Sequence, residues 1–437
     1  MGVHLHPVAP ALADLGASVT ATVTVTISVI AGLAEGQAAY AKQDFLAASQ
    51  AVDPLVDRGD PVEQTNLGVM YAKGQGVPQD DQAAVKWFRL AAEQGYARAQ
   101  TNLGWMLANG QGVLHNYQEG VKWYRLAAEQ GHASAQNNLG WMYANGHGVD
   151  QDYQEAAKWY RLATDQGNAN AQNNLGWMYA NGHGVSQDYQ EAIQWYRLAT
   201  EQGNALAQTN LGVMYANGRG VCQDEQEAVK WYRLGADQGT AFAQSNLGWM
   251  YANGHGVAQD YAEAVRWYRL AAEQGYATAQ RNLGWMYANG HGVTQDYPEA
   301  VKWYRLGADQ GNALAQTNLG VMYANGRGVP RDDQEAVKWY RMGAAQGNAT
   351  AQRNLAWMYE KGLGVAVNKV VAYALYELSE SDAASSGTKG AASRTRLAGA
   401  LSEHALHTAH HLRREIGKHN NLLTALDQYM KSAKALG

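Results

Sequence analysis

The chain has a single cysteine, Cys222, among its 437 residues. That excludes an internal disulfide framework and any zinc site built on clustered thiolates. Charge is thin as well: 34 Lys+Arg and 39 Asp+Glu make 17% of the residues, with a net charge of −5. Without a cationic excess there is no footprint for DNA or RNA, where clustered Lys/Arg is the first requirement. No uninterrupted apolar run reaches the roughly 18 residues of a spanning helix, so no membrane span is expected. Nucleophile and nucleotide motifs are missing too. There is no G-x-S-x-G, no P-loop Gly-Lys-Ser/Thr, and no G-x-G-x-x-G behind a strand. Nothing in the spacing calls for a cofactor or a catalytic centre.

What is present is lopsided. There are 48 glycines, 26 tyrosines and 14 tryptophans, against 7 prolines and 3 phenylalanines. Length alone suggests about three domains of ~150 residues, but self-comparison replaces that reading. Asn-Leu-Gly begins at Asn66, Asn102, Asn138, Asn174, Asn210, Asn246, Asn282 and Asn318, and returns as Asn-Leu-Ala at Asn354. Each step is 36 residues, and Trp-(Tyr/Phe)-Arg keeps the same register from Trp87 to Trp339.

One copy serves for all. From Ala135, the residues Leu139, Met142 and Tyr143 fall on one helical face, and Gly140 leaves room for a close partner helix. Asn145-Gly-His-Gly-Val149 breaks that helix, with Gly146 suited to a left-handed C-cap. Asp152-Tyr-Gln-Glu155 resembles a capping box and opens a second helix carrying Ala156, Tyr160 and Ala163. Gly167 closes it. Neither helix buries its stripe alone, so stacked neighbours must supply the core.

Leu139-Gly140-x-x-Tyr143 and Ala156-x-x-x-Tyr160-x-x-Ala163 resemble the L-G-x-x-Y and A-x-x-x-F-x-x-A positions of the tetratricopeptide class. The 36-residue period, the Gly-x-Gly-Val loop and the following Asp and Trp-Tyr are similar to the Sel-one-like repeat (SLR) family, over roughly residues 31–416. The resemblance implies an all-α, right-handed α-solenoid of about nine repeats with terminal caps. It also implies a bacterial, non-enzymatic adaptor in signalling, envelope regulation or host contact. Cysteine-rich members linked to β-lactam hydrolysis carry paired cysteines in each repeat, which this chain lacks.

The expected organisation is a leader or extension at 1–30, a capping helix pair at 31–61, the solenoid at 62–380, a linker at 381–393 and capping helices at 394–437. Thr20–Ile30 and Val29-x-Ala31 fit a secretory leader, yet no Lys or Arg precedes Lys42. The protein is periplasmic or secreted if residues 1–31 are a leader, and cytoplasmic otherwise.

The tryptophans occupy two slots. Eight lie in helix B from Trp87 to Trp339, where inter-repeat packing is expected; six lie in helix A, at Trp105, Trp141, Trp177, Trp249, Trp285 and Trp357. On helix A, Ser134, Asn138, Trp141 and Asn145 share a face apart from the Leu139/Tyr143 stripe. In tetratricopeptide solenoids that face lines the concave groove, and its Asn contacts bound peptide. The resemblance therefore implies a groove for an extended peptide or protein partner. Its candidates are Asn102, Asn138, Asn174, Asn210, Asn246, Asn282 and Asn318, with Trp105, Trp141, Trp177, Trp249, Trp285, Phe242 and Arg281. An amide pairs equally well with a peptide bond or with a neighbouring repeat, so the ladder has two readings. Arg281 and Arg353 suit carboxylates.

Histidines at 147, 183, 255 and 291 share a loop position and are expected to be solvated. Equivalent atoms in stacked repeats lie on the order of 10 Å apart, too far to share one zinc. His404, His407 and His411 share one helical face without an H-E-x-x-H spacing. Cys222 reads as an incidental loop thiol. The alternatives to a scaffold are a cell-envelope hydrolase and a carbohydrate- or cell-wall-binding protein.

Overall fold

In the computed structural model, residues 59–380, 389–418 and 421–435 are described. The 1–30 extension, nearly all of the 31–61 pair and residues 381–388 of the expected linker lie outside them. The described residues form 21 helices and no strand.

The chain divides into two compact units, Met1–Gly235 and Ala236–Gly437. In the first, α1 (Pro61–Lys73), α3 (Ala97–Asn109), α5 (Ala133–Asn145), α7 (Ala169–Asn181) and α9 (Ala205–Asn217) are helices A. They alternate with helices B: α2 (Asp81–Glu93), α4 (Tyr117–Glu129), α6 (Tyr153–Thr164), α8 (Tyr189–Glu201) and α10 (Glu225–Asp237), which spans the division. In the second, helices A are α11 (Ala241–Asn253), α13 (Ala277–Asn289), α15 (Ala313–Asn325) and α17 (Ala349–Lys361). Its helices B are α12 (Tyr261–Glu273), α14 (Tyr297–Asp309), α16 (Asp333–Ala345) and α18 (Lys369–Ser379). Three more helices follow: α19 (Lys389–Ala398), α20 (Glu403–Gly417) and α21 (Leu422–Ala435).

The local signals act as their chemistry dictates. The Asp152 carboxylate accepts from the amides of Gln154 and Glu155, each at 2.9 Å. The return bond of a capping box is not made. The Asp152 amide donates instead to Tyr143 O at 2.9 Å, and Glu155 pairs with Lys158. Leu139, Met142, Ala156, Tyr160 and Ala163 are buried, as the apolar stripes require.

Two glycine positions set the spacing. A Cβ on Gly140 would stand 2.8 Å from the Tyr160 ring, so the absent side chain is the socket for that tyrosine. Gly148, at φ +72°, would place a Cβ 2.5 Å from the Tyr117 backbone carbon. The second loop glycine thus lets each loop dock on the start of the preceding helix B.

Candidate functional site

The helix-A face is built by three sets of contacts, within and between repeats, and each determines what remains for a ligand. The first set is the asparagine ladder. Asn102, Asn138, Asn174 and Asn210 are buried, at 0–1% exposure. The Asn174 side chain donates to Asn137 Oδ1 at 3.0 Å, and Asn210 to Asn173 Oδ1 at 2.9 Å, both in the preceding helix A. Ladder amides also face the core tyrosine of the preceding helix B: Asn138 at Tyr124, Asn318 at Tyr304 and Asn354 at Tyr340. Burial drives these phenols far above their ordinary value, and the amide contact only partly opposes it. In the first unit, therefore, these rungs face neighbouring repeats. In the second, Asn282 is buried while Asn246 and Asn318 are partly exposed.

The second set is a glutamine ladder, which the sequence reading missed. Gln166 donates to Gln136 Oε1 at 2.8 Å, and Gln136 donates to Ala128 O at 3.1 Å. The pattern repeats at Gln130–Gln100 and Gln202–Gln172, and in the second unit at Gln274–Gln244, Gln310–Gln280 and Gln346–Gln316. Gln136 is 4% exposed, so it is a core group that ties the end of its own helix B, through Gln166, to the preceding repeat, through Ala128 O. The clue was present, because both glutamines recur every 36 residues.

The third set corrects the expectation of solvated loop histidines. His147 stacks on Tyr117 of the preceding helix B, with ring centroids 4.5 Å apart and planes 4° from parallel. Its other neighbour is Trp141, at 5.0 Å. The same trio forms from Tyr153, His183 and Trp177, and from Tyr261, His291 and Trp285. Where the loop residue is Arg219 or Arg327, it lies over Tyr189 or Tyr297. Helix A then carries Val213 or Val321 in place of Trp. An aromatic floor holds either an imidazole or a guanidinium there.

What stays accessible differs along the chain. In the first unit Trp105, Trp141 and Trp177 are half-buried. In the second, Trp249 is half-buried and Phe242 buried, but Trp285 is 39%, Leu314 43% and Trp357 45% exposed. These three stand on α13, α15 and α17. Arg281 is half-buried, and no hydrogen bond or ion pair joins it to any described residue. The helix-B tryptophans 267, 303 and 339 are buried, consistent with packing. Helices B also expose one Leu or Met each, at one register slot from Leu90 to Met342, 37–47% exposed.

Among the described residues, no group of His, Cys, Asp or Glu is placed to hold a metal ion. His404, His407 and His411 lie exposed on α20, and Cys222 is an exposed thiol. No described helix is long and apolar enough to cross a membrane.

Recurring helix pairs, coupled through side-chain amides and aromatic stacks, define a helical-repeat protein. The Sel1 repeat profile matches nine consecutive segments: residues 64–96, 97–132, 133–168, 169–204, 205–240, 241–276, 277–312, 313–348 and 349–381. The chain belongs to the Sel1 repeat family. Among solved structures it is similar to a protective antigen of uropathogenic Escherichia coli with an SLR fold. The identity is 36% and the TM-score 0.69, covering 92% of this chain and 86% of that one. A Sel1 repeat protein of Oxalobacter formigenes is 35% identical with a TM-score of 0.50, over 72% of this chain and 90% of that one. A search of curated proteins finds no match. Sel1 repeat proteins are in general protein–protein interaction scaffolds, and the fold is typically non-catalytic.

Proposed function

We propose that this chain is a non-enzymatic adaptor that holds an extended segment of a protein partner along the helix-A face of its second unit. The observation that carries the reading is the exposure of Trp285 and Trp357, in one register slot two repeats apart, with Leu314 two turns earlier on the helix A between them, each 39–45% exposed. Large apolar side chains gathered on one face and left to water mark a binding surface more often than a structural one, and tryptophan is the residue most enriched at binding hot spots. Asn318 and Asn354, partly exposed here, would add donors and acceptors for a peptide backbone. In the first unit the corresponding amides are sealed, so Asn102, Asn138, Asn174 and Asn210 serve the joints between repeats in this reading. Phe242 and Asn282, both buried, support the floor.

The test is site-specific photo-cross-linking in cells of the native host, with a benzophenone residue at Val321 and a control at the helix-B position Leu306. The reading expects discrete protein adducts from position 321 that disappear in the Trp285→Ala/Trp357→Ala variant. Adducts unaffected by the double substitution would refute it.

A further inference from the structure

Among the described residues, none of the arginines on helices A is paired with a carboxylate. From α3 to α15, the seven helices A contain no Asp or Glu, and their only charged residues are Arg98 and Arg281. Cations on helices B are treated differently. Lys302 pairs with Glu299 at 2.9 Å, and Lys338 with Glu335 at 3.1 Å. Arg281 has no such partner. Its Nε is buried without a hydrogen bond, and burial between Tyr268 and Tyr304 pulls its pKa down. Arg353 occupies the same slot 72 residues later and bonds only to the Thr350 hydroxyl, at 3.2 Å. Arg98, in the first unit, repeats the pattern, with Nε and one terminal nitrogen buried and unsatisfied.

A half-buried guanidinium without a counter-ion costs folding free energy, because desolvation is not repaid by a carboxylate. The cost is repaid if a ligand supplies the anion. Arg281 precedes Trp285 by one helical turn, and Arg353 precedes Trp357 in the same way, so each cation stands beside an exposed indole. With helix layers ~10 Å apart, two repeats separate the arginines by about 20 Å. An extended chain rising ~3.3 Å per residue covers that in about six residues.

We infer that the groove of the second unit selects acidic segments: Arg281 and Arg353 each take a side-chain carboxylate of the partner, about six residues apart, with apolar side chains between them on Leu314 and the indoles. This rests on the groove reading above and names the chemistry of its occupant. Bidentate geometry favours carboxylate over neutral amide. The one acid on the helices A of this unit, Glu360, is buried and already paired with Lys361 and Arg396.

The experiment pans a display library of random twelve-residue peptides on the full chain, then measures chosen peptides by fluorescence anisotropy. Selected sequences are expected to carry Asp or Glu pairs five to seven residues apart. Changing either acid to its amide should weaken binding about tenfold, the scale of one charge-assisted bond. Arg281→Gln should weaken the acidic peptide by the same factor and leave its amide analogue unchanged. The same variant should melt at an unchanged or higher temperature, since it removes an uncompensated buried charge. A lowered melting temperature with unaltered peptide affinity would make Arg281 structural and overturn the inference. So would selected peptides without acidic pairs; if those still require Trp285 and Trp357, the groove reading survives alone. A library yielding no binder, or binders indifferent to Trp285→Ala/Trp357→Ala, removes both.

Discussion

Replacing Gln136 by methionine should loosen its own helix pair and the joint to the preceding repeat by about 2 kcal/mol together. Its side chain makes two bonds, a buried one to Ala128 O at 3.1 Å and a part-buried one from Gln166 at 2.8 Å. Each is worth about 1 kcal/mol net. The larger penalty of orphaned groups does not apply. Ala128 O also accepts from the Gly131 amide at 3.0 Å, and the Gln166 side chain also reaches Leu162 O at 3.2 Å. The reverse change, Gln166→Met, looks milder because Gln166 is exposed, yet it strands Gln136 Oε1 inside and should cost about 1–3 kcal/mol. The two substitutions share one bond, so together they should fall short of their sum by about 1 kcal/mol. A global unfolding midpoint is a poor readout, since repeats open in local groups. Native-state hydrogen exchange resolves them: α4 to α7 should open more readily while α1 and α2 keep their protection. Strict additivity, within about 0.3 kcal/mol, would refute the amide coupling between α5 and the end of α6.

Three further outcomes follow from the same geometry. Gly140→Ala should lower the melting temperature: crowding the Tyr160 ring at 2.8 Å costs about 1–3 kcal/mol, more than the roughly 1 kcal/mol gained in helix propensity. His147→Ala alone should destabilise by about 1 kcal/mol through lost stacking, whereas His147→Arg combined with Trp141→Val should stay near wild type, because that pairing already stands at Val213/Arg219 and Val321/Arg327. At the C-terminal end, burial pushes the Glu360 pKa up, but bonds from Lys361, Tyr376 and Arg396 outweigh it and hold it below 4.5. Its contribution is therefore present above the ordinary carboxylate value and lost as pH falls through the depressed folded value, so the difference in melting temperature between the wild type and Glu360→Gln should shrink as the pH falls below the ordinary carboxylate range.

The fold was legible because its signals are local and repeated. Asp152, Gly140 and the Leu139/Met142 stripe each declare their role within a few residues. The site was less so, because its contacts lie between repeats. Asn138 is only one residue from Leu139, about 100° around the helix. Whether such a position faces water depends on the preceding helices: Tyr124 of helix B covers Asn138, and Asn137 of the preceding helix A covers Asn174. His147 reads as a loop residue until Tyr117, thirty residues earlier, is placed beneath it. The glutamines were missed because a 36-residue register aligns each with its own copies, not with a partner 30 residues away.

The clearest sign that position in the array, not the unit's own sequence, makes the site comes from a duplicated stretch. Asn204–Val221 and Asn312–Val329 are identical. Yet Leu206 is half-buried where Leu314 is exposed, Asn210 is buried where Asn318 is partly open, and Val213 is buried where Val321 is half-buried. One sequence in two settings gives two surfaces, so the difference is supplied by neighbours. Before the first copy stands Asn170, which accepts a bond from Asn204 at 2.8 Å. Before the second stands Thr278, and the slot ahead of Asn282 holds Arg281 rather than an amide. With Cys222 changed to Ser, a cysteine at 314 should therefore alkylate several times faster than one at 206. Equal rates would mean that the two copies present the same face, and that the apolar row of the second unit has no claim over the first.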